Sequence, residues 1–365
     1  MLAGEDATFT VMATGSAPLF YQWYFNTNTA LPNATNASLT ISNSLTNDAG
    51  GYSVAVTNVA GSVTSVVATL AINSSVLIGF ATVNGGTTGG QGGPTVTVTD
   101  LSGFISAVTA PGARIVRVAG SITLGGNVQP ASDKTILGAG TDATLIGNLN
   151  INQATNVIVQ NLHLTNPGGV GDGDGITIEE SSHVWIDHCT FFDCSDGELD
   201  ITHGSDFVTV SWCKFYYTVQ TGHNFVTLVG HSDNNAAEDA GKLHVTFHHN
   251  WWSTLCHERM PRVRFGRVHL FNNYANCTGN NYCVRASIDS EVLVENNYYD
   301  GIDTPYEKFN PPGLIRAAGN STPDCTDVQS FSDTVFTPPY AYTLDPAASV
   351  PGTVTNYAGA GKISF

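Results

Sequence analysis

Six octets with the same alternation of apolar residues recur along the chain, and this repeat limits the possible folds more than any other feature. They are VIVQNLHL (157–164), VWIDHCTF (184–191), VTVSWCKF (208–215), VTFHHNWW (245–252), VHLFNNYA (268–275) and VLVENNYY (292–299). Their starts are 27, 24, 37, 23 and 24 residues apart. Because a period of this size in strand-forming sequence is typical of solenoids, we expect a parallel β-helix.

When the octets stack, the residues at one position of the repeat form a column in which neighbouring side chains can bond to one another. The column contains Leu162, Cys189, Cys213, Asn250, Asn273 and Asn297. Three successive asparagines can bond side chain to side chain and so satisfy buried amides. We expect packed thiols rather than a disulfide at Cys189 and Cys213, whereas Cys277 and Cys283 flank a short loop and could pair. The 37-residue spacing predicts an inserted loop over 220–241.

Residues 1–73 have a different pattern, with short alternating runs separated by turn residues, which predicts a small antiparallel β-sandwich. Trp23 and the DAGGY segment, with Tyr52, resemble the core tryptophan and tyrosine corner of immunoglobulin-like modules. The first strand of such a module is expected to be missing. We therefore predict an immunoglobulin-like module over 1–73, a linker over 74–78 and a β-helix domain over 79–365.

The strongly negative net charge of the chain limits the classes of molecule that it can bind. The chain has 13 Lys+Arg against 30 Asp+Glu, and its formal net charge is -17. That balance argues against nucleic acid and against anionic membranes, and no apolar run approaches the roughly 20 residues of a membrane span. Immunoglobulin-like modules of the kind that residues 1–73 resemble occur in bacterial secreted proteins, so we expect a secreted protein. The start lacks the features of a signal peptide, which we expect to be absent from this sequence.

Three acids form the first candidate site: Asp187 in VWIDH, and Asp196 and Asp200 in DGELD. Asp196 and Asp200 are four residues apart, so along a strand their side chains lie on the same face. Asp187 is predicted to face outward because the apolar residues on alternate positions beside it face inward. Converging carboxylates need a cation, and oxygen ligands suit Ca²⁺. Solvated surface acids explain the same spacing, and both interpretations stay open. The nearby GDGDG, 171–175, is interpreted first as a glycine-rich turn.

Four of the eight arginines in this acidic chain fall within nine residues: Arg259, Arg262, Arg264 and Arg267. Arg262 and Arg264 share one face of a strand. The fork of an arginine suits recognition of a carboxylate, so the cluster indicates an acidic ligand. A solvated basic strand that pairs with surplus acids is the simpler alternative, and the clustering argues against it.

Several segments resemble the pectate lyases of polysaccharide lyase family 1: WIDHCTFFDCSDGELDITHGSDFVTVSW, VGHSD and ERMPRVRFGRVHLFNNY. The resemblance covers most of residues 79–300 in the same order along the chain. It implies a right-handed parallel β-helix. It also implies calcium-assisted β-elimination of α-1,4-linked polygalacturonate, which yields 4,5-unsaturated oligogalacturonates.

On the matching positions, the resemblance implies a role for each candidate residue. Asp187, Asp196 and Asp200 would be the calcium ligands. Arg259 would be the base that takes the C5 proton of the uronate, and Arg264 would hold the substrate carboxylate with Arg262 beside it. Because arginine is normally protonated, such a base needs a strongly altered local field.

One departure from the resemblance affects substrate binding. Many bacterial members carry a substrate-binding lysine shortly before GHSD, whereas this chain has no lysine between Lys214 and Lys242. His223 is the candidate substitute. His188, His248 and His249 are expected to be structural.

Three other functions compete with this interpretation. A hydrolase on the same fold would need paired carboxylates and a water between them, together with motifs that the chain lacks. A pectin lyase, acting on methyl-esterified pectin without metal, would not need the acids. A non-catalytic carbohydrate-binding solenoid would not need Arg259 and Arg264. We therefore expect a calcium-dependent lyase that works as a monomer on polygalacturonate or pectin.

Overall fold

A computed structural model describes residues 6–42, 44, 48, 50–70 and 76–363, and the chain divides into two compact units. The larger unit is Leu77–Lys362, and the smaller is built mainly from the chain up to Val76. The predicted linker lies partly outside the described residues, at 74 and 75, and the predicted loss of a first strand falls on residues 1–5, also outside them.

The smaller unit contains two antiparallel sheets, one of β1 and β4, the other in the order β3-β2-β5-β6 with β7 also paired to β5. Its strands are β1 Ala7–Thr10, β2 Phe20–Phe25, β3 Thr29–Ala30, β4 Ser38–Ile41, β5 Gly50–Asn58, β6 Gly61–Thr64 and β7 Ala68–Leu70. Trp23 pairs across the sheet with Val54, and both are buried. Tyr52 Oη donates a hydrogen bond to Asp48 O at 2.8 Å.

The larger unit is a parallel β-solenoid with three strand ladders, named here the first, second and third faces. The first face contains β8 Thr95–Val98, β9 Arg114–Thr123, β10 Lys134–Ile146, β12 Thr155–Gln160, β15 Ser182–Asp187, β18 Asp206–Ser211, β21 His244–His248, β24 Arg267–Phe271, β27 Glu291–Glu295 and β30 Leu314–Ala318. The second face branches from β10 through β13 His163–Thr165, β16 Thr190–Phe192, β19 Lys214–Tyr216, β22 Trp251–Trp252, β25 Tyr274–Ala275 and β28 Tyr298–Tyr299.

The third face is a separate parallel sheet that places the candidate site. Its strands are β11 Leu149–Asn152, β14 Ile176–Glu179, β17 Leu199–Thr202, β20 Leu228–Val229, β23 Arg262–Val263, β26 Val284–Ala286 and β29 Tyr306–Lys308. The helices are α1 Leu101–Thr109, α2 Ala236–Asp239 and α3 Val350–Tyr357. The predicted all-β parallel solenoid is confirmed.

The register of the first face follows the sequence repeat. The first residues of the octets are direct neighbours across the ladder, in the order Val157, Val184, Val208, Val245, Val268 and Val292. The ladder continues to Ile315 in β30. Because side chains alternate across a strand, Val184 and Ile186 face inward and are fully buried in one continuous apolar core. The repeat therefore fixes both stacking order and register.

The predicted asparagine column is present at the bend after the first face. Asn250 Nδ2 donates to Asn273 Oδ1 at 3.0 Å, and Asn273 Nδ2 donates to Asn297 Oδ1 at 2.8 Å. The column extends to Asn320, whose Oδ1 accepts from Asn297 Nδ2 at 3.0 Å. Below it, Cys213 N donates to Asn250 Oδ1 at 2.9 Å. Cys189 and Cys213 are free buried thiols, as are Cys277 and Cys283.

Segment 220–241 is not wholly an insertion, which corrects the prediction from spacing. It carries β20, a rung of the third face, followed by α2. Leu228 in β20 pairs with Arg262 in β23, so this segment connects the acidic and basic parts of the ladder. Within the described residues, no helix is long and apolar enough to cross a membrane.

Candidate active site

One outward column of the third face runs from polar and acidic residues to arginines. Thr177 in β14 pairs with Asp200 in β17, and Leu228 N in β20 donates to Asp200 Oδ1 at 2.9 Å. Arg262 in β23 and Arg285 in β26 continue the column. Since Leu199 and Ile201 on either side of Asp200 are buried in the core, Asp200 faces outward. The fold thus puts carboxylate and guanidinium groups a few strand spacings apart, each spacing being about 4.8 Å.

Asp174 and Asp200 form an acidic cradle around Gly197. A Cβ built on Gly197 would lie 2.9 Å from Asp174 Oδ1 and 2.9 Å from Asp200 Oδ1. Gly197 N also donates to Asp174 Oδ1 at 2.8 Å, and Thr177 Oγ1 donates to Asp174 Oδ2 at 2.9 Å. The two carboxylates face the same space because residue 197 has no side chain.

Burial and mutual repulsion perturb both carboxyls of the cradle. Burial, and next the neighbouring Asp200, raise the pKa of Asp174 well above its usual range. Burial raises the pKa of Asp200 to about 7, although the Leu228 amide and the Arg259 guanidinium oppose that rise. Pairs of carboxyls with raised pKa values are found at functional sites, where a cation or a proton offsets the repulsion.

Asp196 lies at the rim of the cradle and is turned toward the following coil. Its Oδ1 is 2.5 Å from His223 Nε2, and its side chain is half exposed. A Cβ on Gly173 would lie 2.9 Å from Asp196 Cβ, so this residue is adjacent to the turn that carries Asp174. As their side chains stand, no group of three or more His, Cys, Asp or Glu in the described part of the chain is close enough to hold a metal ion.

Asp187 does not join these acids. It ends β15 on the first face, it is 0% exposed, and its outward exposure was wrongly expected. Its carboxylate accepts hydrogen bonds from Gln160 Nε2 at 3.1 Å and from Ser211 Oγ at 2.7 Å, and it contacts His188 Nδ1 at 2.7 Å. A carboxylate bonded in this way within a ladder has a structural role.

Asp174 was missed as a partner of Asp196 and Asp200, although the sequence carried a usable signal. Ile176 pairs with Leu199, which puts residue 174 in phase with residue 197 on the next coil. GDGDG and DGELD therefore lie at the same point of consecutive coils: GDGDG ends just before β14, and DGELD continues into β17. Aligning the turns, as well as the octets, would have found the cradle.

Arg259 lies beside the cradle and is held by an aromatic ring. Its Cζ is 4.2 Å from the Phe225 ring centroid, and its buried Nε has no hydrogen-bond partner among the residues that the structure describes. The ring centroid of His223 is 4.0 Å from that of Phe225. A continuous line of contacts thus runs from Asp196 through His223 and Phe225 to Arg259, and Phe225 was not singled out from the sequence.

The other arginines of the cluster differ in the ion-pair and hydrogen-bond partners of their guanidinium groups. Arg264 is nearly buried, its Nε is 2.5 Å from Asp233 Oδ1, and its Nη1 donates to Gly230 O at 2.9 Å. Arg267 is exposed and paired with a glutamate on the first face, at 3.1 Å. Burial, and next the charge of Arg264, lower the pKa of Arg262. Arg262 Nε is buried, and no described residue accepts a hydrogen bond from it.

The chain matches a family of known proteins over most of its length. The sequence profile described as Pectate lyase matches residues 51–363. A pectate lyase, plyB, of Emericella nidulans is 40% identical over 233 residues, which cover 61% of this chain and 68% of that protein. A pectate trisaccharide-lyase of Thermotoga sp. is 35% identical over 298 residues, 70% of this chain and 80% of that protein.

Solved structures agree with the sequence matches. A pectate lyase of Bacillus sp. N165, crystallised in complex with trigalacturonate, superposes with a TM-score of 0.71 at 28% identity and covers 79% of this chain and 100% of its own. The major cedar pollen allergen, jun a 1, superposes with a TM-score of 0.65 at 25% identity, over 78% of this chain and 92% of its own.

Proposed function

The chain belongs to the pectate lyase family and acts as a polysaccharide lyase, and from this premise we propose that it cleaves α-1,4-linked polygalacturonate by calcium-assisted β-elimination. The observation that carries the proposal is the third-face column, in which the acidic cradle lies beside Arg259 and Arg262. A polyanion can approach a chain of net charge -17 only where that charge is reversed locally.

The donor set of the cradle fits Ca²⁺. Asp174, Asp196 and Asp200 offer only carboxylate oxygens, and Gly197 leaves the space between two of them open. We assign calcium to these three residues and not to Asp187, whose oxygens are used within the first face. Bound there, the ion would neutralise the substrate carboxylate and favour loss of the adjacent proton.

Arg259 is proposed as the base that removes the C5 proton. The ring of Phe225 fixes the position of its guanidinium beside Asp200, whose pKa the guanidinium lowers. Arg262, which continues the third-face column beyond Leu228, would hold the uronate carboxylate. Arg264 would assist by ordering the loop at Asp233 and Gly230, with His223 at the edge of the binding surface.

The test is an assay of unsaturated product, followed by ultraviolet absorbance, on polygalacturonate with Ca²⁺ and with a chelator. We expect activity that a chelator removes and that added Ca²⁺ restores. Activity unchanged by the chelator would overturn the calcium role and would favour metal-independent cleavage of esterified pectin.

The smaller unit is proposed to be an immunoglobulin-like spacer or binding module. Support comes from the burial of Trp23 against Val54 and from the hydrogen bond of Tyr52 to Asp48 O. A polymeric plant substrate is met outside the cell, so we propose that the enzyme is secreted. We further propose that it works as a monomer, because the cradle and the arginines all come from one chain.

A further inference from the structure

An unassigned cavity of about 400 Å³ opens beside the candidate active site. It lies between the turn that carries Asp193 and Cys194 and the segment that carries Tyr217 and Val219. The turn leads directly into Asp196, and His223 both lines the cavity and contacts Asp196 at 2.5 Å. A sugar residue of a polymer held at the cradle would therefore reach this cavity, whose size is in the range of ligand pockets.

The walls of the cavity combine apolar surface with negative charge. Pro167, Tyr217 and Val219 contribute apolar surface, and no lysine or arginine of the described part of the chain lines the cavity. Asp193 lies on its wall and accepts hydrogen bonds from Thr218 N at 2.7 Å and from Thr218 Oγ1 at 2.6 Å. These two bonds fix the position of the Asp193 carboxyl on the wall.

A free uronate carboxylate is a poor occupant of these walls. It would face Asp193 directly, and burial beside a like charge without a matching cation is costly. His223 does not reverse this effect, because its Nε2 already faces Asp196 and its ring packs on Phe225. A galacturonate whose carboxyl is esterified carries no charge and adds an apolar group. It therefore suits both the negative charge and the apolar surface of the cavity walls.

We propose that this cavity is a subsite for an esterified, uncharged galacturonate, so that the enzyme prefers partially esterified pectin to fully de-esterified polygalacturonate. The inference rests on the proposed function, because it deepens the choice of substrate at the same site. Cleavage would still use a free carboxylate at the cradle, and the esterified residue would lie at a neighbouring position along the polymer.

The experiment compares kcat/KM, with Ca²⁺, on polygalacturonate, on pectins of graded methyl-esterification and on polygalacturonate carrying O-acetyl groups. We expect kcat/KM to rise from polygalacturonate to intermediate methyl-esterification and then to fall when free carboxylates become scarce. A rise with acetylation and not with methyl-esterification would overturn the proposal, because an O-acetylated galacturonate keeps its charged carboxylate. A steady fall along both series would overturn the subsite.

A charge-introducing variant tests the cavity itself. Val219 is 64% exposed, so Val219→Lys should fold, and it sets a cation near Asp193. We expect the ratio of kcat/KM on esterified pectin to that on polygalacturonate to fall by about tenfold, the effect of one well-placed charge contact. The matched control is Val96→Lys in β8, where the side chain is 37% exposed and outside the cavity; its ratio should equal that of the parent.

The two possible failures are distinguishable. An unchanged ratio in Val219→Lys, with robust calcium-dependent cleavage of polygalacturonate, would remove the subsite and leave the proposed function intact. Loss of unsaturated product on every substrate in the parent protein would remove the proposed function itself.

Discussion

Asp174 and Asp187 are both buried carboxyls, yet their surroundings assign them opposite roles. Asp174 faces the open cradle with Asp200, and burial and that neighbour raise its pKa. Asp187 is surrounded by donors from Gln160, Ser211 and His188. Substitution of each by asparagine therefore separates metal binding from structure.

For Asp174→Asn we expect the Ca²⁺ concentration for half-maximal activity to rise by about 10- to 100-fold, because one of three proposed ligands loses its charge. Asp187→Asn should keep the calcium dependence of the parent protein. It should lower the free energy of unfolding by about 1–3 kcal/mol, because donors in the first face lose their acceptor. Calcium titration of activity and denaturant unfolding check the pair, and reversed results would restore Asp187 as the ligand.

Arg259 can be tested with a substitution that keeps its charge. In Arg259→Lys the ammonium cannot reproduce the guanidinium stacked on Phe225, so turnover should fall by about 10²- to 10⁴-fold, the usual contribution of a positioned acid or base. Far-ultraviolet circular dichroism should be unchanged. Arg267→Lys, at an exposed ion pair with Glu291, is the matched control and should retain activity. Near-parental turnover in Arg259→Lys would exclude Arg259 as the base.

At the scale of elements, the asparagine column joins consecutive coils at one bend. Asn273 Oδ1 accepts from Asn250 N and Asn250 Nδ2, and Asn273 Nδ2 donates to Phe247 O and Asn297 Oδ1. Hydrogen-bonded ladders of this kind are coupled, because removal of one member leaves buried partners unsatisfied on both sides.

Asn273→Ala should therefore lower the free energy of unfolding by about 2–4 kcal/mol, counting the several buried groups left without partners. Asn320→Ala, at the partly exposed end of the same column, should cost less because water can replace its bonds. Denaturant unfolding of the two variants checks the difference. Equal losses would show that the column does not act as a coupled element.

At the scale of the whole molecule, all eleven histidines lie in the solenoid, and two of them are buried with lowered pKa values. Burial lowers the pKa of His248 well below its usual range, and burial also lowers that of His269, against the opposing effect of Glu295. His269 Nδ1 contacts Tyr340 Oη at 2.8 Å, so this cluster connects the first face to the C-terminal segment.

A histidine whose folded pKa lies below its unfolded value binds a proton more readily when the chain unfolds. Stability is thus complete above about pH 6.5 and is lost as the pH falls toward the folded pKa, by about 1.4 kcal/mol per pH unit for each histidine. Burial also raises the pKa of Asp174 and Asp200, which has the opposite effect on stability over this range, so the histidine contribution is isolated by comparison with a variant. We expect the free energy of unfolding of the parent protein, relative to that of His248→Gln, to fall between about pH 7.5 and about pH 5.5. Identical pH dependence in the two proteins would contradict this.

The sequence by itself determined the stacking of the solenoid. The octets repeat apolar residues at inward positions, and burial of those residues allows only one register, from Val157 to Val292. The same periodicity placed the asparagine column, because a residue at a fixed phase of the repeat must meet its equivalent on the next coil. The types and spacing of the residues also indicated that the arginine cluster and the acids of DGELD belong to a binding site.

Only the tertiary structure decided which acids meet. Parity along a strand predicted that Asp187 faces outward, but parity does not say which face of the solenoid a strand occupies or what covers it. Asp187 lies on the first face among hydrogen-bond donors. Asp174, in the turn one coil before Asp200, meets Asp200 across Gly197. The cavity beside Asp193 and the contact of Phe225 with Arg259 arise in the same way. They join segments of different coils, and the distance between coils is set by packing rather than by spacing along the chain.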